Sequence, residues 1–277
     1  MTNTDKAALR TLLSARRALI DPAGHGFHRA SRRGRRAPGL SQHQVDQLLH
    51  RTPGTYRRLE SGAWPRPDIG FLRDVATLFT FNEQEWVSLC RYAGIGDPPG
   101  PLTTRSGKEV PAVWQEAVDG MTHPAYITDA SWELITHNAE FARLFPGRRV
   151  PANTMRWMLL EPEGRAMLID WETAWAPLVV PQLRAALAGR PDDEVLRRIE
   201  RDVQADPQCA PIWESGGSQI HPDGDARPVR HAIDGPGWVT MCAAQPMAAP
   251  GARLIVLVFR PGEQQHAQPP ARVLRAP

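Results

Sequence analysis

The 277-residue chain is 42% hydrophobic and holds nine tryptophans, enough apolar material for two domains with separate cores and too much for a disordered chain. The net charge of +3 is unevenly spread: residues 1–100 hold fifteen Lys and Arg against nine Asp and Glu, a balance of +6, and the remainder eighteen against twenty-one, a balance of −3. Three scattered cysteines, no apolar run near the ~18 residues of a membrane span and no signal-peptide-like apolar region argue against a disulfide framework or a membrane protein, so the expectation is a soluble cytoplasmic protein.

The first predicted helix covers residues 5–20, with Leu9, Leu12, Leu13 and Leu19 on its apolar side. The loop that follows includes "RASRRGRRAPG", residues 29–39, with five arginines and no acid. It reads either as a solvated loop or as one that contacts phosphates. His25 and His28 stand three apart there without a Cys or acidic partner, so no metal site is expected.

Ser41 and Gln44 form a capping box ahead of a second helix carrying Val45, Leu48 and Leu49. Only His50 and Arg51 separate it from "TPGTYRRLESG", where Thr52 reads as an N-cap hydroxyl and Pro53 as the first helical residue. Tyr56 and Leu59 would share the buried face of this third helix, Arg57 and Arg58 the opposite one, and Gly62 would close it. Gly54, read as lying inside the helix, would weaken it by ~1 kcal/mol relative to alanine. Two short helices joined this tightly, the second with outward arginines, have the layout of a helix-turn-helix whose second helix enters the DNA major groove. Arg57 or Arg58 could grip a guanine bidentately, although helix surfaces commonly carry arginine, and Glu60 reads as the partner of a neighbouring arginine.

Ile69, Leu72, Val75, Ala76 and Phe79 predict a fourth helix; Asn82 and Glu85 cap a fifth that ends at Gly94. The Gly/Pro-rich stretch that follows suggests a linker over residues 96–109 between a first domain at 1–95 and a second at 110–262, with a flexible tail at 263–277. In the second domain, "AVWQEAVDGM" predicts a short helix, "AYITD" and "WELITH" two strands separated by an Ala-Ser turn, and "NAEFARLF" the start of a helix. Helices are expected over 153–160, 163–188 with internal Pro177 and Pro181, and 191–204. "WVTMCAAQPM" and "RLIVLVF" predict late strands, the latter apolar enough for a central place in the sheet. The fold class is therefore multidomain, an all-α domain followed by an α+β domain. "GIGDPPG" lacks dinucleotide-loop spacing, and no nucleophile elbow, HExxH or phosphate loop is present, so neither an enzyme nor a cofactor is expected.

From Leu40 to Gly62 the chain resembles the helix-turn-helix of the phage-repressor (XRE, Cro-like) class, with His50 and Arg51 where that class usually has glycine and a small apolar residue. "TYRRLESG" is similar to the helix end of its MmyB-like branch, and "PAYITDASWELITHNAEFARLF", "NTMRWMLLEP" and "DWETAW" look like blocks of the MmyB-like C-terminal ligand-binding domain. The resemblance implies a five-helix lambda-repressor-like DNA-binding domain and a PAS-like ligand-binding domain. It implies double-stranded DNA as partner, met by Gln42, Arg51, Thr52, Pro53, Thr55, Arg57 and Arg58, in a homodimer. It further implies a fatty acid or other apolar small molecule near Trp132, Asn138, Phe141, Trp157, Trp171, Trp175 and Arg184. Asn138, Arg143, Arg156 and Arg184 are candidates for the polar end of such a ligand, and the aromatic residues read equally well as plain core. The alternative is that the second domain dimerises or holds a protein partner and binds no metabolite.

Overall fold

A computed structural model describes residues 3–27, 38–103, 106–216, 224–247 and 249–262, which fall into two units divided between Thr103 and Thr104. The arginines of residues 29–36, His28 and the segment 263–277 lie outside the described residues.

The first unit contains α1 (Asn3–Leu19), α2 (Gln42–Leu48), α3 (Thr55–Glu60), α4 (Ile69–Leu78) and α5 (Glu83–Tyr92). Helical spacing turns Leu9 and Leu13, Val45, Tyr56 and Leu59, Phe71 and Val75, and Trp86 and Leu89 into one core. Leu19, expected on the apolar side of α1, is 72% exposed. The packed stripe of Leu9 and Leu13 continues along α1 to Arg16 and Arg17, which reach Glu85 and Glu60, and Leu19 lies off that stripe. Both capping boxes form: Ser41 Oγ accepts from Gln44 N and Asn82 Oδ1 from Glu85 N, with the reciprocal side-chain bonds present. The stretch expected as linker is anchored through Leu102. Trp86 Nε1 donates to Gly100 O, Arg73 to Pro101 O and Leu102 O, Glu83 accepts from Leu102 N, and Leu102 itself is buried.

The second unit runs α6 (Val113–Asp119), β1 (Ala125–Thr128), β2 (Leu134–His137), α7 (Ala139–Arg143), α8 (Thr154–Leu160), α9 (Pro162–Met167), α10 (Ala176–Gly189), α11 (Glu194–Ala205), α12 (Ala210–Glu214), β3 (Ala226–His231), β4 (Gly235–Ala244) and β5 (Arg253–Pro261). The strands form one antiparallel sheet in the order β2-β1-β5-β4-β3, which puts the apolar β5 in the middle. Alternation divides the two faces. Ala125, Ile127 and Leu254 pack with Val118 of α6, while Tyr126, Val229, Val239, Met241, Ile255 and Leu257 face the main core with the helices between β2 and β3.

Several expected elements are corrected here. The β1–β2 connection is the longer Asp129–Glu133 loop, in which Asp129 Oδ1 accepts from Ser131 N and Glu133 N and Trp132 adopts φ 64°, so Trp132 precedes β2. The helix expected over 163–188 is interrupted. α9 stops at Met167, Asp170 takes φ 53°, and a π-helical turn at Trp171–Trp175 leads into α10. Pro177 has no N–H to continue a regular ladder across that turn. The helix expected from 191 starts at Glu194, because the Asp193 carboxylate accepts from Val195 N and Leu196 N. β3 and α12 had no counterpart in the sequence reading.

Candidate DNA interface and ligand cavity

The start of α3 is set by a residue eight positions upstream. Asp46 of α2 is 2% exposed, and its carboxylate accepts from Gly54 N (2.7 Å) and Tyr56 N (2.7 Å). An acid from the preceding helix thus supplies the N-terminal cap that was expected from Thr52. The helix begins at Thr55 with Gly54 as its capping residue, while Thr52 O accepts from Thr55 N within the turn. Gly54 sits at φ 91°, a conformation strained for residues with a Cβ, so it permits the turn and does not weaken the helix interior. His50, in the place usual for glycine, is also left-handed at φ 52°. At the far end Gly62 N donates to Leu59 O and Ala63 N to Arg58 O, which closes α3.

With Tyr56, Leu59 and Glu60 buried, α3 presents Arg57 and Arg58 to solvent, and Arg51, Thr52 and Pro53 are exposed beside it. Thr55 is half-buried. Arg58 lies over the Trp64 ring at 5.4 Å, and Arg51 pairs with Asp74 at 3.1 Å and lies over Phe71. Arg57 makes no ion pair or hydrogen bond through its side chain among the described residues. Gln42 departs from the expected phosphate contact: its amide donates to Glu60, which also accepts from Arg17 Nε at 3.2 Å. Glu60 is therefore an internal anchor held by an arginine 43 positions away. A concave cleft of about 390 Å³ opens beside α3 between His50, Arg51, Thr52, Thr55, Trp64 and Phe71. Trp64 and Asp46 were missed in the sequence; the available signal for Asp46 was an acid next to Val45 on a helix with few apolar positions.

In the second unit an apolar cavity of about 50 Å³ lies between sheet and helices, lined by Phe141, Trp157 and Trp175 among others. A second cavity of about 20 Å³ adjoins it, lined by Thr128, Trp132, Gln182, Arg227 and Arg253. Tyr126, Met158 and Met241 are walls of both. Of the expected ligand residues, these cavities gather Trp132, Phe141, Trp157 and Trp175. The others are committed elsewhere. Asn138 is 2% exposed and caps α7, accepting from Ala125 N and Phe141 N and donating to Met121 O and His123 O. Trp171 Nε1 donates to Met158 O beneath Arg165. Arg184 lies over Trp213 and donates to its carbonyl. Arg143 pairs with Glu140, and Arg156 with Asp202.

The cationic groups at the cavity are ones that the sequence did not single out. Arg227, 3% exposed, points inward from β3 with Val229 and His231, as strand alternation requires, and lies over Trp175 at 5.2 Å. Arg253 on β5 lies over Trp132 at 3.9 Å. Burial lowers the pKa of both guanidiniums, that of Arg253 to about 10. Burial also lowers that of His231. Buried side-chain atoms without a hydrogen-bond partner among the described residues are Arg227 Nε and Nη2, Thr128 Oγ1, Trp157 Nε1 and Ser106 Oγ; the first four belong to residues lining these two cavities.

Burial raises the thiol pKa of Cys90 to about 12 and of Cys209 to about 11, values that keep both protonated and poorly nucleophilic at neutral pH. No cluster of three or more His, Cys, Asp or Glu able to hold a metal occurs among the described residues, and no described helix is long and apolar enough to cross a membrane.

Comparison with known families places these features in context. Residues 110–269 match the family model of the MmyB-like transcription regulator ligand binding domain, and residues 30–97 match a helix-turn-helix domain. No curated protein matches the chain.

Proposed function

The chain belongs to the MmyB-like transcription regulators, with a helix-turn-helix domain ahead of the ligand-binding domain, and on that premise we propose that it reads specific operator sequences as a homodimer and responds to an apolar small molecule such as a fatty acid. In this reading the first unit is lambda-repressor-like, the second is PAS-like, and the protein works in the cytoplasm. The observation that carries the proposal is the cationic face of α3: Arg57 and Arg58 point outward from a helix whose two ends are fixed by Asp46 and Gly62. Two exposed guanidiniums on a helix held at both ends suit bidentate contact with guanine O6 and N7, while the exposed Arg51, Thr52 and Pro53 suit contact with the adjoining backbone. Pairing two copies supplies the base pairs that one short helix cannot read.

Four to six phosphate contacts predict a slope of log K against log salt of about −4 to −5. Fluorescence anisotropy of labelled duplex across a salt series tests this, and a nearly flat response would argue against DNA as the partner.

For the second unit, the apolar cavity between Phe141, Trp157 and Trp175 supports a ligand with a hydrocarbon portion. Each buried CH₂ contributes ~0.8 kcal/mol, so eight methylenes give roughly 6 kcal/mol before ordering costs. A rival reading, a packed domain that dimerises or holds a protein partner, is favoured by the small size of that cavity, about 50 Å³. Mass spectrometry of organic extracts, with thermal shifts across a fatty-acid series, separates them: no extracted lipid and no shift supports the rival.

A further inference from the structure

Arg227 has a guanidinium edge with nothing to hold. Its Nε and Nη2 are buried without hydrogen-bond partners, and they form the side of the group that meets both oxygens of a carboxylate at once. The same chain shows that use of the edge: Arg16 donates from Nε to Glu85 Oε1 and from Nη2 to Glu85 Oε2. Arg227 forms an ion pair with the half-exposed Asp225, whose Oδ2 lies 3.5 Å from Nη2, but neither Nε nor Nη2 has a hydrogen-bond acceptor. The guanidinium lies 5.2 Å over Trp175, whose Nε1 donates to Pro228 O (2.9 Å) and which also lines the apolar cavity. Arg253 adds a second positive charge to the walls of the Arg227 cavity, and Thr128 an unpaired hydroxyl.

We propose that Arg227 is the anchor for the oxyanion head of an amphiphilic ligand, with the hydrocarbon chain running past Met241 and Met158 into the cavity between Phe141 and Trp157. This rests on the ligand-cavity reading above and names the chemistry that the cavity selects. Arg227 shares one half-exposed carboxylate and leaves two buried donors unmet, so a ligand that brings a negatively charged acceptor is favoured over a neutral one of equal length. The two cavities share Tyr126, Met158 and Met241 as walls, and the two methionines are the adaptable side chains among them. Their rearrangement makes one elongated site from two small ones. The flat Nε/Nη2 edge matches a carboxylate better than a tetrahedral phosphate or sulfate ester.

The test is calorimetric titration of the full chain with decanoate, decyl phosphate and decanol. Decanoate should bind at least about tenfold more tightly than decanol, the scale of a charge-assisted hydrogen bond. Stronger binding of decyl phosphate would assign the head to a phosphate ester. Arg227→Met, which keeps an unbranched side chain without the guanidinium, should bring decanoate and decanol to similar affinities, and Asp225→Asn should tighten decanoate binding. If Arg227→Met does not fold, Asp225→Asn alone decides. Equal binding of decanoate and decanol by the unmodified chain would overturn the anion anchor while leaving an apolar pocket. Binding of none of the three probes would overturn the anchor and the ligand-cavity reading together.

Discussion

In the first unit each buried carboxylate meets donors. Asp46 receives two backbone N–H groups, and Glu60 receives Arg17 and Gln42. In the second unit Arg227 keeps two unpaired donors beside a cavity, and all five unsatisfied buried side-chain atoms among the described residues belong to this unit. Fully satisfied polar networks rigidify a fold, whereas buried donors without acceptors mark a place where another molecule can complete the hydrogen bonding. The difference suits a helix face held in one orientation for DNA and a cavity whose walls offer donors to a ligand.

The largest effect is expected at Asp46. Asp46→Ala removes the acceptor for Gly54 N and Tyr56 N and should destabilise the first unit by ~3 kcal/mol, as measured by denaturant unfolding. DNA binding should fall with it. Arg57→Ala should leave stability within ~0.5 kcal/mol but reduce discrimination between cognate and random duplex by ~1–3 kcal/mol in competition binding. Arg58→Ala should act in the same direction; equal losses on both duplexes would mean a phosphate contact only. Gly54→Ala should cost the first unit ~1 kcal/mol, because alanine is strained at φ 91°.

The contrast between the units should then invert at Arg227. Whereas loss of the satisfied charge at Asp46 destabilises, Arg227→Met should leave the ligand-free second unit unchanged or more stable by up to ~1 kcal/mol, read by calorimetry. A loss of several kcal/mol would show that Arg227 is a structural charge.

The smallest effect is in the pH response. Burial depresses the His231 pKa, so its stabilising contribution is full above the ordinary value of 6.5 and declines as pH falls below it. Asp193 and Asp206 are depressed despite burial. Ser131, Leu196 N and Lys108 stabilise the charged form of Asp193, and Cys209 N and Arg165 that of Asp206, so both contributions fade only below the ordinary 3.8. In the first unit Glu85 is depressed by Arg16 and Asn82 against burial, and its contribution fades below 4.5. Calorimetry between pH 7 and pH 5 should therefore show the second unit weakening first.

Local signals made much of this legible. The capping pairs Ser41/Gln44 and Asn82/Glu85, the buried pair Tyr56 and Leu59 and the apolar run of β5 are decided by neighbours within a few positions. What stayed hidden is decided across the fold. Asp46 caps a helix eight and ten residues away, and the polar signature of Asn138 fits a ligand donor as well as the helix cap that it is. Arg227 lies in "RPVRH", where strand alternation puts 227, 229 and 231 on one side without saying which side is inward. Gln42 offered a phosphate-binding amide that Glu60 already holds. The lining of the cavities was half legible: aromatic side chains announce a core, but the unmet donor edge of Arg227 beside it is defined only by what its neighbours fail to supply.

The most direct measurement is selection of duplexes from a random pool by the purified full chain, run in parallel with the Arg57→Ala/Arg58→Ala variant. The native chain should enrich a motif with paired half-sites, and the double variant should lose sequence preference at the guanine positions while still folding. Enrichment of no motif at low salt, or of the same motif by both chains, would contradict recognition of DNA by the α3 face.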